Sequence, residues 1–314
     1  MSKYKNKKMS VQSNYNVKQI SFLSHGTKIS GLLFQPAGKP KGTITIFGPI
    51  AFVKEQSPVQ YAARLAKEGF MTLIYDPRYY GESEGTPRQF EDRKSKVEDI
   101  IASVDYLLSL DDVSKDTIYA LGVCQGTNWI AEAATKDKRI KKVMLVASAL
   151  LSPAMGANYL SRDEVEKKIE RGRRSREKYE KTGEIDYMHI GLVEGDDMPA
   201  IMPFQHITNW YGPWELRTDF TKYKGKWENK ITQMSEELIW GYDVSDIMSK
   251  IIQPVVMIHS DKAASGPITP KQMFEKIPSK EKKLIWFDGD QVQYQFYEDP
   301  ITVDKVVFEL TNWL

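Results

Sequence analysis

The stretch "LGVCQGTNWIAEAA", residues 121–134, runs a short apolar segment into a helical one, with Gly122 and Gly126 flanking Cys124. A strand that ends in G-x-C-x-G and opens a helix has the form of a nucleophile elbow, in which small flanking residues permit a tight turn that lifts the middle side chain clear of a sheet. Cys124 then stands at a helix N-terminus, where peptide dipoles and free N–H groups favour a thiolate. The Gln125 N–H would point at an oxyanion forming beside the sulfur. The competing reading of Cys124 is a buried structural thiol, among the commonest core residues.

Outward from this stretch the chain alternates strand and helix. "TITIFGP" (43–49), "FMTLIYD" (70–76), "TIYALGVC" (117–124), "KVMLVASAL" (142–150), "PVVMIHSD" (254–261) and "KLIWFDGD" (283–290) are short, nearly continuous apolar runs, the pattern of strands covered on both faces. Helical periods separate them: 57–70, 93–110, 127–137, 269–277 and 301–314. Before them, two half-alternating runs around His25-Gly26 predict an antiparallel edge hairpin. Eight strands in a mostly parallel sheet follow, with right-handed crossovers.

The rhythm breaks between about Ser152 and Lys250, where a charged helix ("SRDEVEKKIERGRRSREKYEKTGE") and an aromatic-rich segment with Phe204, Trp210, Tyr211, Trp214 and Trp227 intervene. The expected organisation is a flexible tail over 1–16, a core over 17–151 and 251–314, and a helical cap inserted over 152–250. The charge run reads as a solvated helix face, since acidic residues are interleaved throughout.

Composition narrows the partners. The chain has 314 residues, 41% of them hydrophobic, and 44 Lys plus Arg against 42 Asp plus Glu. A formal charge of +2 supplies no field for nucleic acid or anionic membrane, so neither is expected as a partner. No apolar run reaches 18 residues and the basic, polar start lacks a signal-peptide core, so the expected compartment is the cytoplasm. One cysteine excludes an internal disulfide and a Cys-based zinc cluster. No cofactor or metal is expected: H-E-x-x-H, a P-loop lysine and a dinucleotide G-x-G-x-x-G after the first strand are all missing. A homodimer is entertained, with no motif that fixes it.

Together, "FGPIAFVKEQSPVQYAARLAKEGF", "LIYDPRYYGESEGTPRQFEDRKSKVEDI", "LGVCQGTNWIAEAATKDKRIKKV" and "PVVMIHSDKAASG" resemble, in order, the α/β-hydrolase superfamily, and within it the cap-bearing, dienelactone-hydrolase-like branch of acyl hydrolases and polyketide transferases. The resemblance runs from about Val17 to Leu314. It implies an α/β-hydrolase fold, Cys124 as nucleophile, oxyanion N–H groups from Gln125 and from Ile50 or Ala51, and Asp261 as the acid of a triad. Pro49 cannot donate. Phe52, Tyr80, His206, Trp210, Tyr211 and Trp214 are the candidate substrate-binding residues. Lys54, Glu55 and Gln56 are expected to hold the oxyanion loop through an ion pair. His259 is expected in the sheet as a hydrogen-bonded histidine.

The departure from the family lies in "DGDQVQYQFYEDP", where Gln293 occupies the place of the catalytic histidine and Gln295 that of the following Asp; no histidine comes after His259. A carboxamide donates and accepts hydrogen bonds but does not titrate, so general-base help worth about 10²- to 10⁴-fold is missing unless a cap residue such as His189 or His206 supplies it. Asp261 would have no imidazole to orient and could bond the Gln293 amide instead. Three functions stay open: acyl transfer from a small-molecule or carrier-bound acyl substrate through Cys124, a hydrolase or acyltransferase; a non-hydrolytic cyclase, dehydratase or lyase of a polyketide-like substrate that uses the oxyanion hole; and an inactive binding protein on this fold.

Overall fold

The computed structural model describes residues 14–211 and 227–314, apart from the side chains of His206 and of residues 288–290. Trp214 therefore lies outside the described residues, as do residues 1–13 of the expected tail. Tyr15 and Asn16, expected in the tail, instead belong to a strand: they pair with Pro36 and Gln35, and the Tyr15 ring lies 5.6 Å from that of Phe34.

Strands β1 (Tyr15–Ser24) and β2 (Thr27–Pro36) form the hairpin around His25-Gly26. The chain continues through β3 (Thr43–Phe47), α1 (Ser57–Lys67), β4 (Met71–Tyr75), α2 (Arg93–Leu108), β5 (Ile118–Val123), α3 (Gly126–Lys136) and β6 (Lys142–Val146). After an insertion come β9 (Val255–Lys262), α9 (Thr269–Lys276), β10 (Lys282–Val292), α10 (Gln295–Glu298) and α11 (Pro300–Trp313). These strands make one eight-stranded sheet in the order β1-β2-β4-β3-β5-β6-β9-β10, antiparallel over β1, β2 and β4 and parallel from there on. The non-sequential order places β5 near the middle, so its C-terminal end opens at the centre of the sheet's carboxyl edge. That is where crossover loops leave room for a ligand.

Every residue of β3, β4 and β5 is buried, which requires cover on both faces. Helix α1 packs with α10 and α11, and α2 packs with α3. Proline at the start of α1, α9 and α11 and the Asp92 cap on α2 fix where these helices begin.

The insertion between β6 and β9 carries α4 (Pro153–Gly156), α5 (Arg162–Thr182), the short pair β7 (Tyr187–Met188) and β8 (Ile231–Thr232), α6 (Gln205–Tyr211), α7 (Ser235–Trp240) and α8 (Ser245–Met248). Helix α5 is the charged run, bounded by a Ser161–Glu164 capping box and by Gly183 at φ +74°. Contrary to a wholly solvated reading, its stripe Lys168, Gly172, Ser175 is buried. The reason is Glu236 on α7, fully buried and bonded by Arg171 at 2.6 and 2.7 Å and by Lys168 at 3.2 Å. Among the described residues no helix is long and apolar enough to cross a membrane.

Candidate active site

Strand β5 delivers Cys124 at φ +58°, a left-handed conformation that a non-glycine residue holds only when its surroundings enforce it. The enforcement is visible: the Cys124 N–H donates to Val146 O at 3.0 Å, and its carbonyl accepts from Ala149 N at 3.1 Å and Thr127 Oγ1 at 2.7 Å. Buried Asn128 adds Nδ2 bonds to Gln125 O and Ala149 O (2.8 and 2.7 Å) and accepts Leu151 N–H at 3.0 Å. The flanking glycines serve close approach more than dihedral freedom. A Cβ at Gly122 would lie 2.7 Å from Thr127 Cα, and one at Gly126 would collide with the carbonyls of Phe47 and Gly48 at the end of β3.

The loop after β3 supplies one wall. The backbone N–H groups of Ile50 and Gln125 lie beside the sulfur, and both pull its pKa down. Ala51 is not a free donor, which decides between the two candidates for the loop's oxyanion N–H: at φ +49°, it gives its N–H to Glu91 Oε1 at 2.9 Å. The same oxygen binds Lys96 Nζ at 2.8 Å, and that ammonium sits 5.4 to 5.9 Å from the ring centroids of Tyr80, Phe47 and Phe52. Phe52 and Tyr80 are thus corrected from substrate-binding residues to the aromatic casing of a buried ion pair, 0% and 1% exposed and absent from the cavity wall. Lys54 holds the far side of the loop, with Nζ at 2.8 Å from Asp76 and 3.0 Å from both Glu55 and Glu82. From the insertion, the Tyr211 hydroxyl donates to Ile50 O at 3.3 Å and Trp227 Nε1 to Ala51 O at 2.8 Å.

Among the described residues the opposite wall holds no acid–base pair. Gln293 donates Nε2 to Ala147 O at 2.8 Å and to the Tyr297 hydroxyl at 3.1 Å, and its Oε1 accepts the Ala264 N–H at 2.6 Å. Its amide and the Tyr297 hydroxyl lie beside the Cys124 sulfur, and both pull its pKa down. Asp261 does not join them. Strand β9 runs on through Lys262, which pairs with Val292, so Asp261 is still inside the strand, exposed, and accepts the Trp286 indole N–H at 3.0 Å. Both the expected triad role and the expected bond from Asp261 to Gln293 are corrected on that ground.

His259 is fully buried, with Nδ1 2.8 Å from Ser260 O and Nε2 2.9 Å from Ala264 O, and burial lowers its pKa toward the neutral ring. His189 is engaged by Asn229 O and Asp196 and does not line the cavity. His206 lies on α6, beside the wall residues Ile207 and Trp210.

Burial also overturns the expected thiolate. It pushes the Cys124 thiol up to about 11, against the pull of Tyr297, Gln125, Gln293 and Ile50 as donors. The helix N-terminus is real, but Cys124 is only 7% exposed and desolvation wins.

Above the sulfur lies a cavity of about 520 Å³. Its floor is Ile50, Cys124, Gln125 and Gln293; the insertion supplies most of the walls, among them Met155, Tyr159, Phe204, Trp210, Tyr211 and Trp240. Trp210 stacks on Tyr294 at 5.3 Å and meets Tyr297 edge-on at 4.9 Å. Trp227 packs on Tyr211 and the loop after β3 rather than on the cavity. Among the described residues the lining contains no histidine or carboxylate, and no cluster of three or more His, Cys, Asp or Glu could hold a metal. Sequence reading missed Tyr297 altogether. The signal was its spacing, four residues after Gln293, which puts both side chains on one side of the turn into α10.

The sheet order and the elbow after β5 define the class of fold: the protein has the α/β-hydrolase fold. A model of the alpha/beta hydrolase fold matches residues 57–187. Similar proteins include the uncharacterized protein YcjY of Escherichia coli K12, 44% identical over 105 residues, which are 33% of this chain and 34% of YcjY. The polyketide transferase claH of Penicillium crustosum is 26% identical over 60% of this chain and 62% of its own. The crystal structure of hypothetical protein PA2218 from Pseudomonas aeruginosa superposes with a TM-score of 0.78 at 22% identity, over 100% of this chain and 98% of that one. The matches to the first curated relatives span 34% to 41% of those proteins' lengths.

Proposed function

We propose that the protein is an acyl-transfer enzyme in which Cys124 takes an acyl group from a thioester or activated ester and passes it to an alcohol or amine more readily than to water. The observation that carries this reading is the pairing of two N–H donors, Ile50 and Gln125, at a sulfur that no histidine or carboxylate of the described lining faces. Donors so placed stabilise the oxyanion of a tetrahedral intermediate, an effect typically worth 10²- to 10³-fold per donor. Splitting the acyl-enzyme with water needs a base, and Gln293 has no titrating proton. An acceptor already seated in the cavity gains from proximity what it lacks in activation.

The insertion over 152–250 acts as a cap in this reading, and its aromatic walls suit a small-molecule or carrier-bound acyl chain that is largely apolar. The name of claH, a polyketide transferase, agrees with transfer as the chemistry. A second reading, non-hydrolytic rearrangement or cyclisation over the same donors, draws support from the protonated thiol and the surrounding phenols Tyr159, Tyr211, Tyr294 and Tyr297.

Intact-mass spectrometry of the wild type and Cys124→Ala with a panel of acyl thioesters separates the readings. Acyl transfer requires an adduct on the wild type alone, slow to clear in water and quick to clear with an added alcohol or amine. Product formed without an adduct and retained by Cys124→Ala favours rearrangement; ligand binding with no reaction leaves a binding protein.

A further inference from the structure

The geometry points to Tyr297 as a catalytic residue of the acylation step, a neutral proton relay between the Cys124 thiol and the leaving group, with Gln293 as the residue that positions it. The inference rests on the acyl-transfer reading above.

Tyr297 lines the cavity from α10, 2% exposed, beside Cys124 and Gln293 on the same wall, and its hydroxyl accepts Gln293 Nε2 at 3.1 Å. A phenol has two lone pairs and one proton. With Gln293 on one lone pair, the other lone pair and the proton remain for the two sulfurs of a thiol–thioester exchange. Gln293 is itself anchored at both ends, by Ala147 O and Ala264 N, so it holds the phenol's orientation from a fixed frame. Ala147 is left-handed too, at φ +45°, which makes Cys124, Ala51 and Ala147 three non-glycine residues in that conformation around one sulfur.

In acylation the Cys124 sulfur bonds to the thioester carbonyl carbon, and the negative charge on the carbonyl oxygen is met by the Ile50 and Gln125 N–H groups. The thiol proton passes to the Tyr297 oxygen as the Tyr297 proton passes to the departing sulfur. The bond to that sulfur breaks, the carbonyl reforms, and free thiol leaves with the proton that Cys124 lost in kind. Nothing is oxidised, and no residue ends with a charge it did not start with.

A neutral relay suits groups that burial holds protonated: the phenol is pushed well above its usual range and the thiol to about 11. The other titratable groups around the pair are the phenols Tyr159, Tyr211 and Tyr294, also raised by burial, with Lys262 on the cavity wall and Glu298 on the Trp210 indole.

The test is Tyr297→Phe, which keeps the ring against Trp210 and Tyr294 and removes only the hydroxyl, with acyl-adduct formation from a short aliphatic thioester followed by rapid-quench mass spectrometry across pH. The expected result is an acylation rate about 10²-fold or more below wild type, while the wild-type rate stays flat from about pH 6 to about pH 9. Tyr297→His, which restores a proton carrier of another type, should recover part of the rate and introduce an inflection near the imidazole range, about pH 6.5. If Tyr297→Phe acylates as fast as wild type while melting normally, the relay is wrong and acyl transfer stands. If wild type acquires no acyl group from any thioester, both fall.

Discussion

On one side of the Cys124 sulfur, the β3–α1 loop and the first turn of α3 present backbone N–H groups braced by Glu91, Lys96, Tyr211 and Trp227. On the other, the turn after β10 and helix α10 present a carboxamide and a phenol, while Asp261 faces away and His259 is locked among carbonyls. In the acyl-transfer reading the first side stabilises the oxyanion, which every acyl transfer needs. The second would make water a nucleophile, which hydrolysis alone needs. A catalyst with only the first side complete should acylate and then wait for an acceptor better than water.

The sharpest test of that asymmetry is the thiol itself. With its pKa near 11, the thiolate fraction rises about tenfold per pH unit up to that point, so alkylation by iodoacetamide should climb about 10³-fold between pH 7 and pH 10 without a plateau. The same shift has a sign for stability. The folded state prefers the protonated thiol, so this contribution is full below the unfolded value of about 9 and is lost as pH rises toward 11. Mass-spectrometric rates across pH check the first statement, and a plateau near neutrality would mean that the donors win over burial.

Gln293→His should repair the incomplete side. An imidazole at that position lies beside the sulfur and can take a proton from water, so turnover of the acyl-enzyme in water should rise by about 10²-fold, read as decay of the adduct mass. No change would mean that the side chain at 293 does not stand where a base must.

The two sides also differ in how far the sequence reveals them. Continuous apolar runs such as "TITIF" and "IYALGV", short and rich in β-branched and aromatic residues, read as strands covered on both faces, and the G-x-C-x-G spacing marks the elbow because a side chain at either glycine would strike backbone. The rest depends on partners distant in the chain. Ile50 and Ala51 look equivalent until Glu91, forty residues on, claims one N–H. Phe52 and Tyr80 sit close to site residues in sequence but face Lys96. A thiolate follows from a helix end taken alone; the depth of the pocket, a property of the whole insertion, reverses it. Asp261 reads as a strand-end acid because nothing local reveals that β9 runs one residue further and that Trp286 takes the carboxylate.

A smaller effect probes the bracing of the complete side. Trp227→Phe keeps an aromatic ring against Tyr211 and removes the indole N–H from Ala51 O, leaving a buried carbonyl without that donor. The cost is about 1 kcal/mol, roughly a fivefold loss in acylation rate if it is felt wholly at the Ile50 donor. An undiminished rate with a lowered melting temperature would confine Trp227 to stability.

The smallest effect belongs to the residue that most resembles a triad member. Asp261→Asn retains an oxygen that can accept the Trp286 N–H, and the side chain is exposed outside the cavity lining, so acylation should change by no more than about twofold, within the range of ordinary surface substitutions. In Gln293→His the same substitution becomes informative in a second way. If the introduced imidazole recruits Asp261, removing the carboxylate should cost that variant much of its gained hydrolysis while leaving the parent untouched. If hydrolysis by the double variant equals that of Gln293→His, Asp261 is held by Trp286 too firmly to serve. Among the described residues the incomplete side then offers neither a base nor the means to orient one.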